Sequence, residues 1–217
     1  MKFVTFRSGH FSRPGALLRS GKILDLRKAL EAQLDEPLWT IADLLGRGEA
    51  AVRAAAEAIE RADADPALAE SNNLVVSADS VQLLSPVGPG ASLWTIGMLY
   101  PAHAREMKVP VPKTLMLNLR SAQPIIGSGE AIVLPTRAPD MVDYEGELAV
   151  VIGKLTYRVD PESAMEHVAG YTIYNDVGAR EYCQPFIDEM AREGGPTAAT
   201  AAYNLFLQPL PTTNICT

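Results

Sequence analysis

The sequence is poor in cysteine, has no long apolar run and carries no excess of basic residues. Its two cysteines, Cys183 and Cys216, have no close pairing and no CxxC spacing, so neither a disulfide framework nor a zinc motif is predicted, and both are expected to be buried or incidental thiols. No stretch approaches the roughly eighteen apolar residues that a membrane helix needs, and the N-terminus lacks the long apolar run of a signal peptide. We therefore expect a cytoplasmic protein in a reducing compartment that does not bind membranes.

The charge balance excludes nucleic acid as a partner. The formal net charge is −7 and the sequence pI is near 5.0, whereas a phosphate backbone or an anionic membrane calls for a basic face. With 47% hydrophobic and 21% charged residues among 217, the chain is expected to bury a sizeable core. A small molecule is the expected partner.

Hydrophobic periodicity predicts a β-rich chain with a few helices. The predicted elements are listed in chain order: strands at 2–6 and 16–26, with turn residues Ser8, Gly9, Pro14 and Gly15 and a second turn at Ser20 and Gly21; helices at 26–34, 41–45 and 49–61; a linker at 63–73; and a strand at 75–84. A Pro- and Gly-rich loop follows. The sequence thus predicts two domains, 1–85 and 86–217.

Two glutamates begin an apolar, mostly β-branched run that predicts a strand. Residues two apart in a strand point to the same face, about 6.6 to 7 Å apart, so Glu145 and Glu147 are expected to share a face. Gly146 between them has no side chain, so a neighbouring chain segment is expected to approach the opposite face closely. Asp176 follows a second apolar strand and could complete a set of three carboxylates. Such carboxylates repel one another unless protons or a hard cation such as Mg²⁺ hold them together. The alternative is the wet face of an edge strand.

A histidine and a glutamate stand three residues apart after another predicted strand, at 93–98. On a helical turn His103 and Glu106 would lie on one side. There the carboxylate could orient the imidazole and raise its basicity, which makes a dyad able to take a proton from water. The alternative is a surface histidine beside an incidental glutamate.

Two segments in order, Asp143-Tyr-Glu-Gly-Glu-Leu-Ala-Val-Val-Ile-Gly-Lys154 and Tyr174-Asn-Asp-Val-Gly-Ala-Arg180, together resemble the signature of the fumarylacetoacetate hydrolase family. In that family the Glu, Glu and Asp at these motif positions hold Mg²⁺ or a similar ion. The resemblance implies that Glu145, Glu147 and Asp176 bind Mg²⁺, Mn²⁺ or Ca²⁺.

The segment 94–106 is similar to the family motif Gly-Leu-Asn-Tyr-x-x-His-x-x-Glu, in which the His and Glu activate the attacking water. The resemblance implies that His103 and Glu106 are catalytic and that Tyr100 lies near the substrate. Leu99 stands where the family has the Asn, so a polar group is lost beside the dyad.

Three more positions are implied by the resemblance to contact substrate or to brace the site. Arg120 stands near where the family often has a Lys and is either an anion contact or an exposed charge. Arg180 lies four residues after Asp176, as in the family, where its guanidinium could brace the carboxylates. Gln184 is one place later than the family's substrate-contacting Gln, and Cys183 occupies that position.

The resemblance also implies the architecture: α+β and β-rich, with a small N-terminal α+β domain followed by a mixed β-roll, often dimeric. It implies that this chain ends before the family's last strands. The chain has no lysine after Lys154, and residues 203–211 only faintly resemble the family's Lys-containing segment, with Ala202 roughly at the Lys position.

The function implied is metal-dependent hydrolysis of a carbon–carbon bond in an acylpyruvate or fumarylacetoacetate-like β-diketo acid, as in aromatic compound catabolism, by a cytoplasmic homodimer. Decarboxylation or keto–enol isomerisation of a 2-oxo acid uses the same enolate chemistry and is the alternative. The other alternative is a non-catalytic or truncated homologue that keeps the metal site, and the absence of the family's Lys favours this alternative.

Overall fold

The computed structural model describes residues 1–88, 91–106, 110–120, 125–182 and the strand at 213–216. It is mixed α+β and β-rich, as expected. The strands are β1 (Phe3–Ser8), β2 (Phe11–Leu17), β3 (Lys22–Asp25), β4 (Val75–Ser77), β5 (Leu83–Leu84), β6 (Leu93–Gly97), β7 (Met116–Arg120), β8 (Ile125–Ile126), β9 (Val142–Asp143), β10 (Gly146–Ile152), β11 (Val168–Asn175), β12 (Gly178–Ala179) and β13 (Thr213–Cys216). The α-helices are α1 (Leu26–Ala29), α2 (Ile41–Gly46), α3 (Glu49–Ala64), α4 (Pro66–Ser71) and α5 (Pro101–Glu106), and 3₁₀ turns cover Ala78–Ser80 and Pro161–His167.

The first five strands form one sheet in the order β4-β3-β2-β1-β5. Helices α1 to α4 bury their apolar sides against it in a continuous core that includes Leu24, Leu26, Leu44 and Ala55, each at most 1% exposed. The long helix α3 fits the alanine-rich stretch predicted at 49–61, and alanine has the highest helix propensity. This sheet and its helices form the larger of the two buried clusters among the described residues.

The prediction of a turn at Pro14 and Gly15 is wrong. Both lie inside β2, opposite Thr5 and Val4 of β1, and the hairpin turn falls at Gly9, whose φ is +61°. A proline is tolerated in this inner strand because Gly15 faces Asp25, the last residue of β3, so Pro14 lies just beyond the end of β3. The missing N–H therefore removes no ladder hydrogen bond on that side.

The predicted linker at 63–73 contains a helix. Asp65 caps α4 by accepting a hydrogen bond from the Leu68 N–H at 3.0 Å, and Pro66 occupies the first helical position. Asp followed by Pro is a helix-start pattern, and it outweighs the turn interpretation of the same residues. The strand predicted at 75–84 is also interrupted, by the 3₁₀ turn at Ala78–Ser80.

The second half of the chain contains three small sheets and helix α5. The largest has the order β10-β11-β13-β8, antiparallel except for the β13–β8 pair, and β6-β7 and β12-β9 are two-stranded ribbons. Gly127, after β8, lies so close to β5 that an added Cβ would be 2.7 Å from Leu84 Cα. This contact joins the two halves, and the domain boundary near residue 85 remains a prediction.

Some predictions fall on residues outside the described ranges. These are Cys183, Gln184 and the faint Lys-segment resemblance at 202–211. In the part of the chain that is described, no helix has the length and apolarity needed to cross a membrane.

Candidate metal centre

The pairing of β10 with β11 brings three carboxylates to one face. The register pairs Glu147 with Tyr174, and one step further the Asp176 N–H donates to the Glu145 carbonyl at 2.9 Å. Because side chains alternate along a strand, Glu145 and Glu147 share a face, and Asp176 reaches the same face from β11. One carboxylate oxygen from each of the three lies within 4.8 Å of the others.

Two arginines pair with this cluster. Arg120, from β7, donates from Nη2 to Asp176 Oδ2 at 2.9 Å, and the two side chains are only 13% and 7% exposed. Arg180 donates to Glu145 and, through Nε, to Asp143 Oδ2 at 3.2 Å. An exposed Arg120, one of the two sequence interpretations, is therefore excluded.

The electrostatics of the cluster concentrate on Glu147. Burial, then the neighbouring charges of Asp176 and Glu145, raise the pKa of Glu147 to about 7, while Arg120 acts in the opposite direction. For Arg180, burial alone would lower the pKa, but the charges of Glu145 and Asp143 raise it overall. Glu147 therefore resists ionisation until a cation approaches it.

The donor set fits a hard divalent cation. An octahedral ion with oxygens at about 2.1 Å separates its ligand oxygens by about 3 to 4.2 Å. The three carboxylate oxygens lie within 4.8 Å of one another, so they would have to move only slightly closer together to bind such an ion. Three carboxylates outnumber the two guanidinium groups that face them, which leaves net negative charge for a cation. Glu145, Glu147 and Asp176 are the residues that could hold it.

The predicted dyad lies on α5. His103 Nδ1 is 3.7 Å from Glu106 Oε2, with the side chains 43% and 80% exposed. This separation is an ion-pair distance rather than a hydrogen bond. Within the described ranges, no hydrogen bond or ion pair joins the dyad to the three carboxylates.

Tyr100 connects α5 to the metal-centre strand. Its hydroxyl oxygen accepts a hydrogen bond from the Leu148 N–H at 3.0 Å. Leu148 lies opposite Ile173 of β11, and these two residues form a non-hydrogen-bonded pair of the antiparallel ladder. The Leu148 N–H therefore points away from β11, toward the free edge of β10. Tyr100 thereby holds the start of α5 beside the strand that carries Glu147.

Sequence reasoning missed three residues that support the cluster. Tyr174 is 2% exposed and its hydroxyl is 3.4 Å from Asp176 Oδ1. The Asn175 side chain accepts from the Glu145 N–H at 3.1 Å, and Asp143 receives Arg180. The signal available for Tyr174 was its position two residues before Asp176, on the same face of one strand.

One local inference from the sequence is wrong. Gly146 was expected to let a neighbouring chain segment approach the face opposite the glutamates. A Cβ at Gly146 would meet no atom within 4 Å, so close approach does not explain this glycine.

Comparison with known proteins agrees with this geometry. Residues 92–199 match the family model described as fumarylacetoacetate (FAA) hydrolase C-terminal. The chain is 35% identical over 197 residues to oxaloacetate tautomerase FAHD2A, mitochondrial, of Bos taurus, covering 89% of this chain and 56% of that protein. It is 32% identical over 186 residues to oxaloacetate tautomerase YisK of Bacillus subtilis, covering 83% and 61%.

Solved structures share the fold. The fumarylacetoacetate hydrolase from psychrophilic Exiguobacterium antarcticum superposes with a TM-score of 0.61 at 24% identity, over 86% of this chain and 59% of that one. The chain thus spans a little over half the length of the proteins that it matches. Motifs, fold and sequence identity agree, and the chain belongs to the fumarylacetoacetate hydrolase family.

Proposed function

We propose that this protein catalyses keto–enol isomerisation of a 2-oxo acid such as oxaloacetate at the carboxylate cluster. The observation that carries the proposal is the convergence of Glu145, Glu147 and Asp176 within 4.8 Å, with arginines on two of them. Two relatives at 32% and 35% identity are named oxaloacetate tautomerases. The expectation of carbon–carbon hydrolysis therefore becomes the second candidate.

A divalent cation on these carboxylates would polarise the 2-oxo carbonyl and lower the pKa of the adjacent C3 protons. Arg120 pairs with Asp176 and Arg180 pairs with Glu145, so the two arginines fix the orientation of these carboxylates before the cation arrives. Mg²⁺ suits an all-oxygen site of this kind, and Mn²⁺ is the expected substitute.

Proton transfer is assigned to His103 on α5, and a substrate contact to Tyr100, which precedes that helix. His103, oriented by Glu106, takes a proton from C3 of the substrate, and a proton is returned to the enolate oxygen to give the enol. Because the Tyr100 oxygen accepts from the Leu148 N–H, its own proton is available for a hydrogen bond to a ligand oxygen. Tyr100 is thus the proposed contact between substrate and this helix.

The second candidate is hydrolysis of an acylpyruvate, and the His103–Glu106 pair favours it. The imidazole is 43% exposed, so a water molecule can reach it. In that reaction His103 removes a proton from water, the hydroxide adds to the distal carbonyl, and the carbon–carbon bond breaks to leave an enolate that is then protonated.

Parallel assays separate the two reactions. With Mg²⁺ present, ultraviolet absorbance follows conversion between enol and keto oxaloacetate, and loss of the diketo absorbance follows acylpyruvate cleavage. We expect rapid isomerisation and slow cleavage. Cleavage without isomerisation would make hydrolysis the function, and neither reaction would indicate a non-catalytic homologue.

Metal affinity is expected to depend on pH through Glu147. In the metal-free protein the pKa of Glu147 is raised to about 7, so a proton competes with the cation below that pH and not above it. Affinity for Mn²⁺ should fall about tenfold per pH unit below pH 6 and level off above pH 8, because one proton is released on binding. Calorimetry across this range checks the slope, and a flat profile would remove Glu147 from the ligand set.

Self-association is expected through the outer face of the β10–β11 pair. This face carries five apolar side chains, each 49 to 62% exposed: Leu148, Val150, Ile152, Tyr171 and Ile173. Such a continuous apolar patch is unusual on a monomer, and we propose a second copy of this chain as its partner. Val150→Lys should shift the protein toward monomer in sedimentation velocity, while Leu155→Lys, at a 95% exposed position outside the strands, should not. Equal behaviour of both variants would exclude this face.

A further inference from the structure

Arg180 contacts two carboxylates with two different nitrogens. Its Nε donates to Asp143 Oδ2 at 3.2 Å, and its Nη2 donates to Glu145. In the described ranges, the carboxylates that converge within 4.8 Å are those of Glu145, Glu147 and Asp176. Asp143 therefore lies outside the candidate ligand set, although it shares an arginine with one member of that set.

Backbone hydrogen bonds, and not only ion pairs, hold Arg180 beside Asp143. The Arg180 N–H donates to the Met141 carbonyl at 2.8 Å, and the β12–β9 ribbon pairs Gly178 with Asp143. The Asp143 carboxylate is itself oriented, because its Oδ1 accepts a hydrogen bond from the Tyr144 N–H at 2.9 Å. Its second oxygen, Oδ2, receives the guanidinium.

A guanidinium and a divalent cation on the same carboxylate oppose each other. Both are positive, and like charges at close range repel most strongly where water is partly excluded. The Arg180 and Glu145 side chains are 27% and 35% exposed, so solvent screens them incompletely. A cation that binds Glu145 must therefore displace Arg180 or meet a guanidinium whose charge is balanced by another group.

We propose that Asp143 is a positioning residue that keeps Arg180 from competing with the divalent cation for Glu145. The inference rests on the proposed function, because it needs the cation site at Glu145, Glu147 and Asp176. When the cation binds, Arg180 gives up part of its pairing with Glu145 and stays on Asp143, whose charge balances its own. Without Asp143 the whole guanidinium would turn to Glu145, since its planar fork can hold both oxygens of one carboxylate.

A double-mutant cycle on Mn²⁺ affinity tests the proposal, with calorimetry at about 0.15 M salt to screen exposed charges. Asp143→Asn should weaken Mn²⁺ binding about 10- to 100-fold, the usual effect of residues that support metal ligands. Arg180→Gln should bind Mn²⁺ at least as tightly as wild type, because it removes the competing charge. In the Arg180→Gln background, Asp143→Asn should change the affinity by about twofold at most.

Asp140→Asn is the matched control. It removes the same charge from an exposed position three residues earlier, and no contact in the described ranges joins its carboxylate to Arg180. Its Mn²⁺ affinity should stay within about twofold of wild type. Asp143→Glu keeps a carboxylate within reach of Arg180 and should restore most of the affinity lost in Asp143→Asn. Thermal unfolding checks folding, and the melting temperatures should stay close to wild type because the backbone pairing remains.

Other results would overturn the inference. An equal loss from Asp143→Asn in both backgrounds would mean that Asp143 acts on the cation directly, and no loss in either would mean that it has no role. Weaker binding by Arg180→Gln would mean that the arginine supports the site rather than competes for it. If the wild-type protein binds no Mn²⁺, the metal centre and this inference both fail. If it binds Mn²⁺ with the expected coupling but turns over neither substrate, only the proposed reaction fails.

Discussion

Glu147→Gln is expected to lower the affinity for Mg²⁺ or Mn²⁺ by about 100-fold or more. The amide keeps the size of the side chain but removes a charge and one donor oxygen, and cation affinity in such sites follows ligand charge. Loss of residues that merely orient ligands already costs about 10- to 100-fold. Calorimetric titration checks the result, with one site per chain in the wild type.

The matched control is Glu166→Gln, an identical change at an exposed position in the 3₁₀ turn. It should leave the isotherm unchanged. An unaltered isotherm for Glu147→Gln as well would mean that the cation binds elsewhere or not at all.

His103→Ala should reduce turnover of the 2-oxo acid by about 100- to 10,000-fold, the usual contribution of a positioned general base. Glu106→Gln should reduce it less, because Glu106 acts only through the imidazole, 3.7 Å away. The rate is measured with saturating Mg²⁺, alongside metal affinity, which should not change. Full activity in His103→Ala would indicate that another group moves the proton.

His10→Ala provides the corresponding control. His10 is exposed in the β1–β2 turn, far from α5 in sequence, and its loss should leave turnover intact. A comparable loss in both variants would point to a general effect on folding rather than to proton transfer.

Much of the site follows from local pattern. Alternation along a strand is enough to predict that Glu145 and Glu147 share a face, and the three-residue spacing predicts the His103–Glu106 arrangement. The meeting of Arg120 with Asp176 could not be predicted in this way, since the residues are 56 apart in sequence and join only when β7 lies beside the β10–β11 pair. No local periodicity encodes such a contact.

The errors also have physical causes. Proline in a sequence favours a turn, but Pro14 lies in β2, where β3 ends before it would accept a hydrogen bond from the missing N–H. Pro66 likewise favours a linker, but with Asp65 as the helix cap before it, Pro66 begins α4. In both cases one residue type has two structural uses, and tertiary context decides between them.

The most direct test of the proposed metal centre is the anomalous difference map of a crystal grown with Mn²⁺. The map should show one strong peak per chain bounded by Glu145, Glu147 and Asp176, with Arg120 and Arg180 still beside the carboxylates. A peak elsewhere, or none between these three side chains at saturating Mn²⁺, would contradict the assignment.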